Sequence, residues 1–424
     1  MQPTEPRHQT PNARARRLAK IVWRTYLYSR GRLIPFLEPY WKTEEIKSGR
    51  DWLNNKTEGI ETCIEDFEDL FLKGTRVDGL PVATSSGRTA LSLALRALKR
   101  SNPDRDQVII PSYSCAGLLT PIIQNALIPV YADVGQDLNT TEAAVTPLLS
   151  SRTLAIVVVH LGGKYANEVE RIGKRADGAV VIEDMCQALG GSVGSKPWGA
   201  SAPMEIYSFG LGKNLMATAG GMLIARTATD NVLKEKEKLT YENPESPRAR
   251  FSYMLDAYLP GKLGAIFPDA NVPTNAFHSS YGFNKISMLD AQIMTHQLRR
   301  MNEIITRRQN NARLILDALP SSSSIMVPGK DGPNVWTKFI SVARSTEIAK
   351  NIRKTLHRAG IETETMYTPL HLRVEGYSGP QLPVTENVYA RVFNIPVRPS
   401  IGRDQIRYIA STVRRAAVDV QGME

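Results

Sequence analysis

Lys213 stands in the run Tyr207-Ser208-Phe209-Gly210-Leu211-Gly212-Lys213-Asn214-Leu215, after a strand-like stretch from Met204 to Phe209. The small residues Ala217-Thr218-Ala219-Gly220-Gly221 follow it. An ammonium among glycines and apolar residues, with no carboxylate close in sequence, is costly to bury unless its pKa falls or it becomes covalently bonded. Upstream, Asp184 ends the apolar run Ala179-Val180-Val181-Ile182-Glu183. In an open α/β sheet, ligands sit beyond the carboxyl ends of the strands, where this aspartate is expected. Taken singly, each residue also fits an ordinary place: a solvated loop lysine, or a strand-end aspartate capping a helix. Together they form the minimum pair for pyridoxal phosphate chemistry, a Schiff-base lysine and an acid for the pyridinium nitrogen.

The elements that must position this pair alternate along the chain. Short apolar runs at Gln107–Ile110, Ile128–Tyr131, Leu154–Val159, Val180–Glu183, Ile206–Phe209 and Gly221–Ile224 are separated by helical or turn segments. That alternation predicts a mostly parallel sheet. Helices are expected at Glu58–Phe71, at Arg88–Arg100 with Leu91, Leu95 and Leu98 among its apolar residues, and as one long element over Ile286–Leu316. Residues 240–283 hold no sustained period. After Ser321–Ser324, the segments Val335–Val342, Ser345–Ala359 and Gln405–Val418 suggest a smaller α/β unit. The expected division is a basic arm over residues 1–42, a large cofactor-binding domain over 43–300 and a smaller domain over 301–424.

Several ordered blocks carry a resemblance. They are Thr84-Ser85-Ser86-Gly87-Arg88-Thr89-Ala90-Leu91, Val108-Ile109-Ile110-Pro111-Ser112-Tyr113-Ser114-Cys115, Val158-Val159-His160-Leu161-Gly162-Gly163 and Ile182-Glu183-Asp184-Met185-Cys186-Gln187-Ala188-Leu189-Gly190. Ser208-Phe209 through Lys213-Asn214-Leu215 and Met366-Tyr367-Thr368-Pro369-Leu370-His371 complete the set. From about Thr57 to Arg415 the chain resembles the DegT/StrS-type sugar aminotransferases, a branch of the fold-type I pyridoxal 5'-phosphate enzymes. The resemblance implies an α/β fold-type I transferase with a large, mostly parallel sheet domain and a smaller C-terminal α/β domain.

It also implies roles. Lys213 would carry the cofactor as a Schiff base and, once released, move the proton. Asp184 would keep the pyridine nitrogen protonated, and Gln187 would reach the ring's 3-oxygen. Ser86 and Gly87, at the N-terminus of the helix expected from Arg88, would take the phosphate, because orphan amides and the helix dipole favour an anion there. Ser86 also reads as an ordinary helix cap. Ser208 matches a second phosphate hydroxyl, and Asn284 resembles the Asn that reaches the phosphate of the neighbouring subunit. Three departures mark the chain: Arg88 where relatives usually have Thr, which removes a hydroxyl and either supplies a guanidinium for the phosphate or points to solvent; Cys115 where many place an aromatic over the ring, which can pack on the cofactor but not stack; and Thr218-Ala219 where relatives usually have Gly-Glu. Tyr113 is a substitute for the missing aromatic. His160, Tyr113, Tyr367 and His371 are candidate substrate contacts. Relatives converted to dehydration carry His in place of the lysine, so Lys213 points to transamination.

Composition narrows the remaining classes. Apolar residues make up 42% and charged residues 22%, ordinary for a globular protein. The three cysteines, Cys63, Cys115 and Cys186, show no CxxC pairing and no zinc-ligand spacing, which argues for a reducing compartment and against a four-cysteine iron–sulfur cluster. No metal is expected. The start lacks a positive region followed by an apolar core, and no run reaches a membrane span, so the protein is expected to be cytoplasmic. Of the net charge of +11, seven charges lie in residues 1–42, where nine basic residues face only Glu5 and Glu38. The arm also holds Leu18, Ile21, Val22, Trp23, Tyr26, Leu27 and Tyr28, so it reads either as a helix packed on the enzyme or as a peripheral contact with an anionic membrane. No nucleic-acid partner is expected. The expected activity is amination of a keto-sugar, nucleotide-linked, by glutamate, in a homodimer whose active site lies at the subunit interface. A cyclitol or lipid-linked ketone as substrate, or a non-catalytic binding protein of this fold, are the alternatives.

Overall fold

Thr153–Val159, with the sequence Thr-Leu-Ala-Ile-Val-Val-Val, is buried at every position and lies inside a seven-stranded sheet. A β-branched run without polar alternation is what a strand covered on both faces requires. The structure, a computed structural model, describes residues 22, 25–27, 32–54, 60–200, 202–258, 282–320 and 324–419. The strands are β1 (Leu80–Thr84), β2 (Gln107–Pro111), β3 (Ile128–Ala132), β4 (Thr153–Val159), β5 (Val180–Asp184), a small hairpin β6 (Ser192–Val193) and β7 (Lys196–Pro197), β8 (Met204–Ser208) and β9 (Gly221–Ala225). The sheet runs in the order β1-β9-β8-β5-β4-β2-β3. From β3 to β8 all neighbours are parallel, and β9 then runs antiparallel to both β8 and β1. The edge strand β1 went unread in the sequence, where Pro81 obscures it; an edge is where a sheet tolerates proline.

The helix Gly87–Ser101 packs on this sheet, with Leu91, Leu93, Leu95 and Leu98 all buried. Its start is fixed by Ser86, whose side chain accepts from the Thr89 amide, a cap worth ~1 kcal/mol. A second, antiparallel sheet orders β10 (Ile325–Met326), β11 (Phe339–Ala343) and β12 (Val392–Ile395). Helices Met301–Ala318, Thr346–Arg358 and Arg403–Asp419 supply Ala312, Ile315, Ile352 and Ile409 to its core.

One expectation needs correction. The long helix over 286–316 is two helices, Met288–Arg299 and Met301–Ala318. Between them Arg300 leaves helical geometry (φ −110°, ψ 10°), and its guanidinium is held by Glu45 at 2.7 Å and Glu303 at 3.2 Å. Beyond the arm's apolar residues Leu18 to Tyr28, the chain is extended by Ile34. There Ile34 is buried and bridges Ile361, the Phe36 amide donates to Glu362 at 3.2 Å, and Arg398 donates to the Pro35 carbonyl at 2.9 Å. Leu27 is buried while Val22 and Tyr26 are exposed. Residues 1–21, with Trp23 and Tyr28, lie outside the described residues. Among the described residues no helix is long and apolar enough to cross a membrane.

Candidate active site

The parallel neighbours β5 and β8 end side by side, with Asp184 in register with Ile206. Asp184 closes β5, is nearly buried, and accepts from the Cys186 amide at 2.9 Å. Ser208 closes β8 and leads into the loop that carries Lys213. That loop is drawn shut at its base, where Phe209 donates to the Gly220 carbonyl and Ala217 donates to the Phe209 carbonyl. Gly220 in turn donates to the Ser85 carbonyl at 2.9 Å, so the loop lies against the start of the helix Gly87–Ser101. Gly87 is pressed so close to β8 that a Cβ there would stand 3.0 Å from Ser208 Cβ and 3.1 Å from Cys186 Sγ. Glycine is thus the residue that brings the helix terminus to the strand end.

The polar groups at this junction have distinct surroundings. Lys213 is half-buried, and its Nζ has no ion pair or hydrogen bond among the described residues. Burial, followed by the nearby Asp184 charge, pushes the Cys186 thiol well up, with the Lys213 charge opposing. Gln187 accepts from the Gly162 amide at 2.9 Å and donates to the Tyr367 hydroxyl at 3.0 Å. Burial pushes the Tyr367 phenol well above its ordinary value. Cys115 is exposed, caps the turn Ala116–Leu118 through its sulfur, and lies within electrostatic reach of Tyr367 and Cys186. The aliphatic part of Arg88 runs beside Gly117. Asn284 reaches the same end through its backbone, its carbonyl accepting from Ser85 at 2.9 Å, while its side chain turns to Thr240 Oγ1 at 2.7 Å.

The other candidates lie elsewhere. His160 is fully buried, 2.7 Å from Glu183 through Nε2 and accepting from the Ala166 amide through Nδ1, so neither nitrogen is left for a substrate. Tyr113 is buried and donates to the Met366 carbonyl; it meets Tyr367 edge-on rather than offering a free face. His371 is buried with Nδ1 against Ser112 at 2.6 Å and Nε2 3.4 Å from Glu386. These three side chains support the walls, and Tyr367 alone of the four substrate candidates is tied directly to Gln187.

Several residues escaped the sequence reading. Thr337 hydrogen-bonds the Gln187 carbonyl and the Asn214 side chain, joining the segment after β5 to the Lys213 loop. Lys338, buried inside an apolar run, pairs with Glu364. A charge in such a run was the available signal. Asp290 accepts from the Thr218 amide at 2.9 Å, the Thr218 hydroxyl at 2.6 Å and the Ala219 amide at 3.0 Å, and so pins the loop where the expected acidic residue is missing.

This donor set fits pyridoxal phosphate: an amine without a hydrogen-bond partner among the described residues, a carboxylate at a strand end, a side-chain amide, and a strand-end serine whose Cβ lies close to the N-terminal glycine of a helix. The profile of the DegT/DnrJ/EryC1/StrS aminotransferase family matches residues 40–414. A spore coat polysaccharide biosynthesis protein of Bacillus subtilis is 26% identical, over 91% of this chain and 97% of its own. The dTDP-4-dehydro-2,3,6-trideoxy-D-glucose 4-aminotransferase of Saccharopolyspora spinosa is also 26% identical, with the same coverage. Among solved structures, a putative sugar aminotransferase from Streptococcus pneumoniae in its PMP form superposes with a TM-score of 0.73 at 20% identity, covering 91% of this chain and 100% of that one. With a matching profile over most of its length and the fold to go with it, the chain belongs to the DegT/DnrJ/EryC1/StrS aminotransferase family.

Proposed function

We propose that the chain transfers an amino group to the carbonyl of a keto-sugar carried on a nucleotide, with glutamate as the donor. The observation that carries this reading is the placement of Asp184 and the Lys213 loop at the ends of adjacent parallel strands. The names of relatives that act on nucleotide-linked sugars support the substrate class. Pyridoxal phosphate, when bound, supplies an aldehyde that captures amines and a pyridine ring that withdraws electrons. Asp184 would hold the proton on the ring nitrogen, and Gln187, fixed by Gly162 and Tyr367, would donate to the ring's oxygen. The helix terminus at Ser86-Gly87 and the Ser208 hydroxyl would take the phosphate, with Arg88 close by. Lys213 Nζ would hold the cofactor and then move a proton between the substrate carbon and the cofactor's C4′, a task suited to an amine kept from carboxylate partners.

The same reading places the enzyme in the cytoplasm as a homodimer with the active site at the subunit interface; within one chain the Asn284 backbone lies beside its own Ser85. The packing of residues 34–41 on the body supports an arm that serves the enzyme; a peripheral membrane role remains for residues 1–21. The test is spectroscopic. Purified protein should absorb in the visible, lose that band on adding glutamate, and regain it only with an acceptable ketone. A screen of keto-sugar nucleotides against the aminated form then identifies the acceptor. Recovery with a cyclitol or lipid-linked ketone alone would overturn the sugar assignment, and absence of any cofactor band would overturn the enzyme assignment.

A further inference from the structure

Behind the Lys213 loop lies a small cavity with room for little more than one water-sized particle, about 20 Å³. Its walls include Arg308, Lys338, Arg398, Glu38, Gly212 and Thr337. All three cations are buried, with Arg308 4% and Arg398 5% exposed. Two of them have their own carboxylate: Arg398 meets Glu38 at 2.6 Å, and Lys338 pairs with Glu364. Arg308 has none. Its Nη1 and Nη2 reach only the carbonyls of Thr337 at 3.4 Å and Lys213 at 3.3 Å, and its Nε has no acceptor. Carbonyl groups satisfy donors without neutralising a charge, and an uncompensated buried cation is costly. Burial, with the Arg398 charge adding to it, pushes the Arg308 pKa down to about 9, as expected for a cation lacking a counter-ion.

We propose that this cavity binds a small monovalent anion, a halide or the carboxylate of a small acid, against the Arg308 guanidinium. The anion supplies the missing negative charge and joins three segments that line the cavity: residues 36–38, the loop at Gly212–Met216, and Lys338 just before β11. Because Arg308 also holds the Lys213 carbonyl, occupancy stiffens the backbone of the reactive loop. The inference is independent of which ketone the enzyme accepts, or whether it accepts one.

The holoenzyme's thermal midpoint, measured at fixed ionic strength, is expected to rise and saturate with chloride, bromide or formate, relative to a bulky organic sulfonate too large for the cavity. Bromide and formate compared separately distinguish a halide from a carboxylate source. Arg308→Met is expected to abolish the anion-specific rise. Crystals of the unaltered protein soaked in bromide give the direct readout, which does not depend on how that variant folds. Anomalous density within hydrogen-bonding reach of Arg308 Nε supports the site. Density only at surface positions, or equal midpoints in all anions, overturns it.

Discussion

Glu183 and Asp184 are consecutive on β5 yet serve opposite sides of the sheet: Glu183 lies 2.7 Å from buried His160, and Asp184 lies beside Cys186 at the site. Strand geometry requires this, since successive side chains point to opposite faces. His160 stacks near Tyr165 and Trp198, with ring centroids 5.6 and 6.0 Å away. His160→Ala should therefore act on stability. Removing one partner of a buried pair costs roughly 3 kcal/mol, to be read from urea unfolding, while cofactor absorbance of the folded variant stays near normal. A variant of unchanged stability that has lost turnover would return His160 to the substrate site.

Lys213→Ala should bind pyridoxal phosphate without a borohydride-stable linkage and lose turnover. Peptide mapping of the reduced, unaltered enzyme checks the assignment, and a label on any other lysine refutes it.

Asp184→Asn keeps the shape of the strand end but removes the charge that holds the ring proton. The glutamate half-reaction should slow at least ~100-fold, the scale of losing one electrostatic contact in the transition state. Rapid-mixing absorbance measures it, with the melting temperature as control; near-normal rates would assign ring protonation to another group.

Glu303 gathers the Tyr40 hydroxyl at 2.9 Å, Lys42 at 3.0 Å and Arg300 at 3.2 Å. Burial opposes its ionisation, but hydrogen bonds from Lys42, Tyr40 and Arg300 outweigh that and hold its carboxyl down at about 2. A depressed carboxylate stabilises the fold above its unfolded value, near 4.5, and loses that contribution as pH falls toward 2. The stability difference between the wild type and Glu303→Gln should thus shrink from pH 5.5 to pH 3. A constant difference in urea titrations would sink the idea.

Deleting residues 1–37 removes Ile34 from the core of the smaller sheet and frees the Glu362 and Arg398 partners of Phe36 and Pro35. The truncated protein should melt several degrees lower. Sedimentation with anionic vesicles tests the other role of the arm, with salt-sensitive binding of the full-length chain as the positive outcome.

The parallel sheet and its flanking helices were legible because the apolar runs are short, dense and separated by turn residues. The ends of β5 and β8 were legible for the same reason, since a charge or hydroxyl closing an apolar run marks where a strand stops. The break at Arg300 was not, because it depends on Glu45, which lies some 250 positions away in the chain and pairs with Arg300 only after folding. The supporting places of His160, Tyr113 and His371 were hidden likewise. A motif gives residue order, whereas a histidine's use depends on which partners reach its two nitrogens. Asp290 was invisible because it compensates for the Thr218-Ala219 departure from another helix.

The bond between Gln187 and Tyr367 spans 180 positions, and the contact of Ser85 with Asn284 spans nearly 200. A chain still emerging from the ribosome therefore carries Lys213 long before it can carry the walls around it. Contacts of such long range are slow to form. The reactive amine must spend that interval exposed on a partly folded chain, and cofactor capture becomes a late event of synthesis rather than a seed for folding.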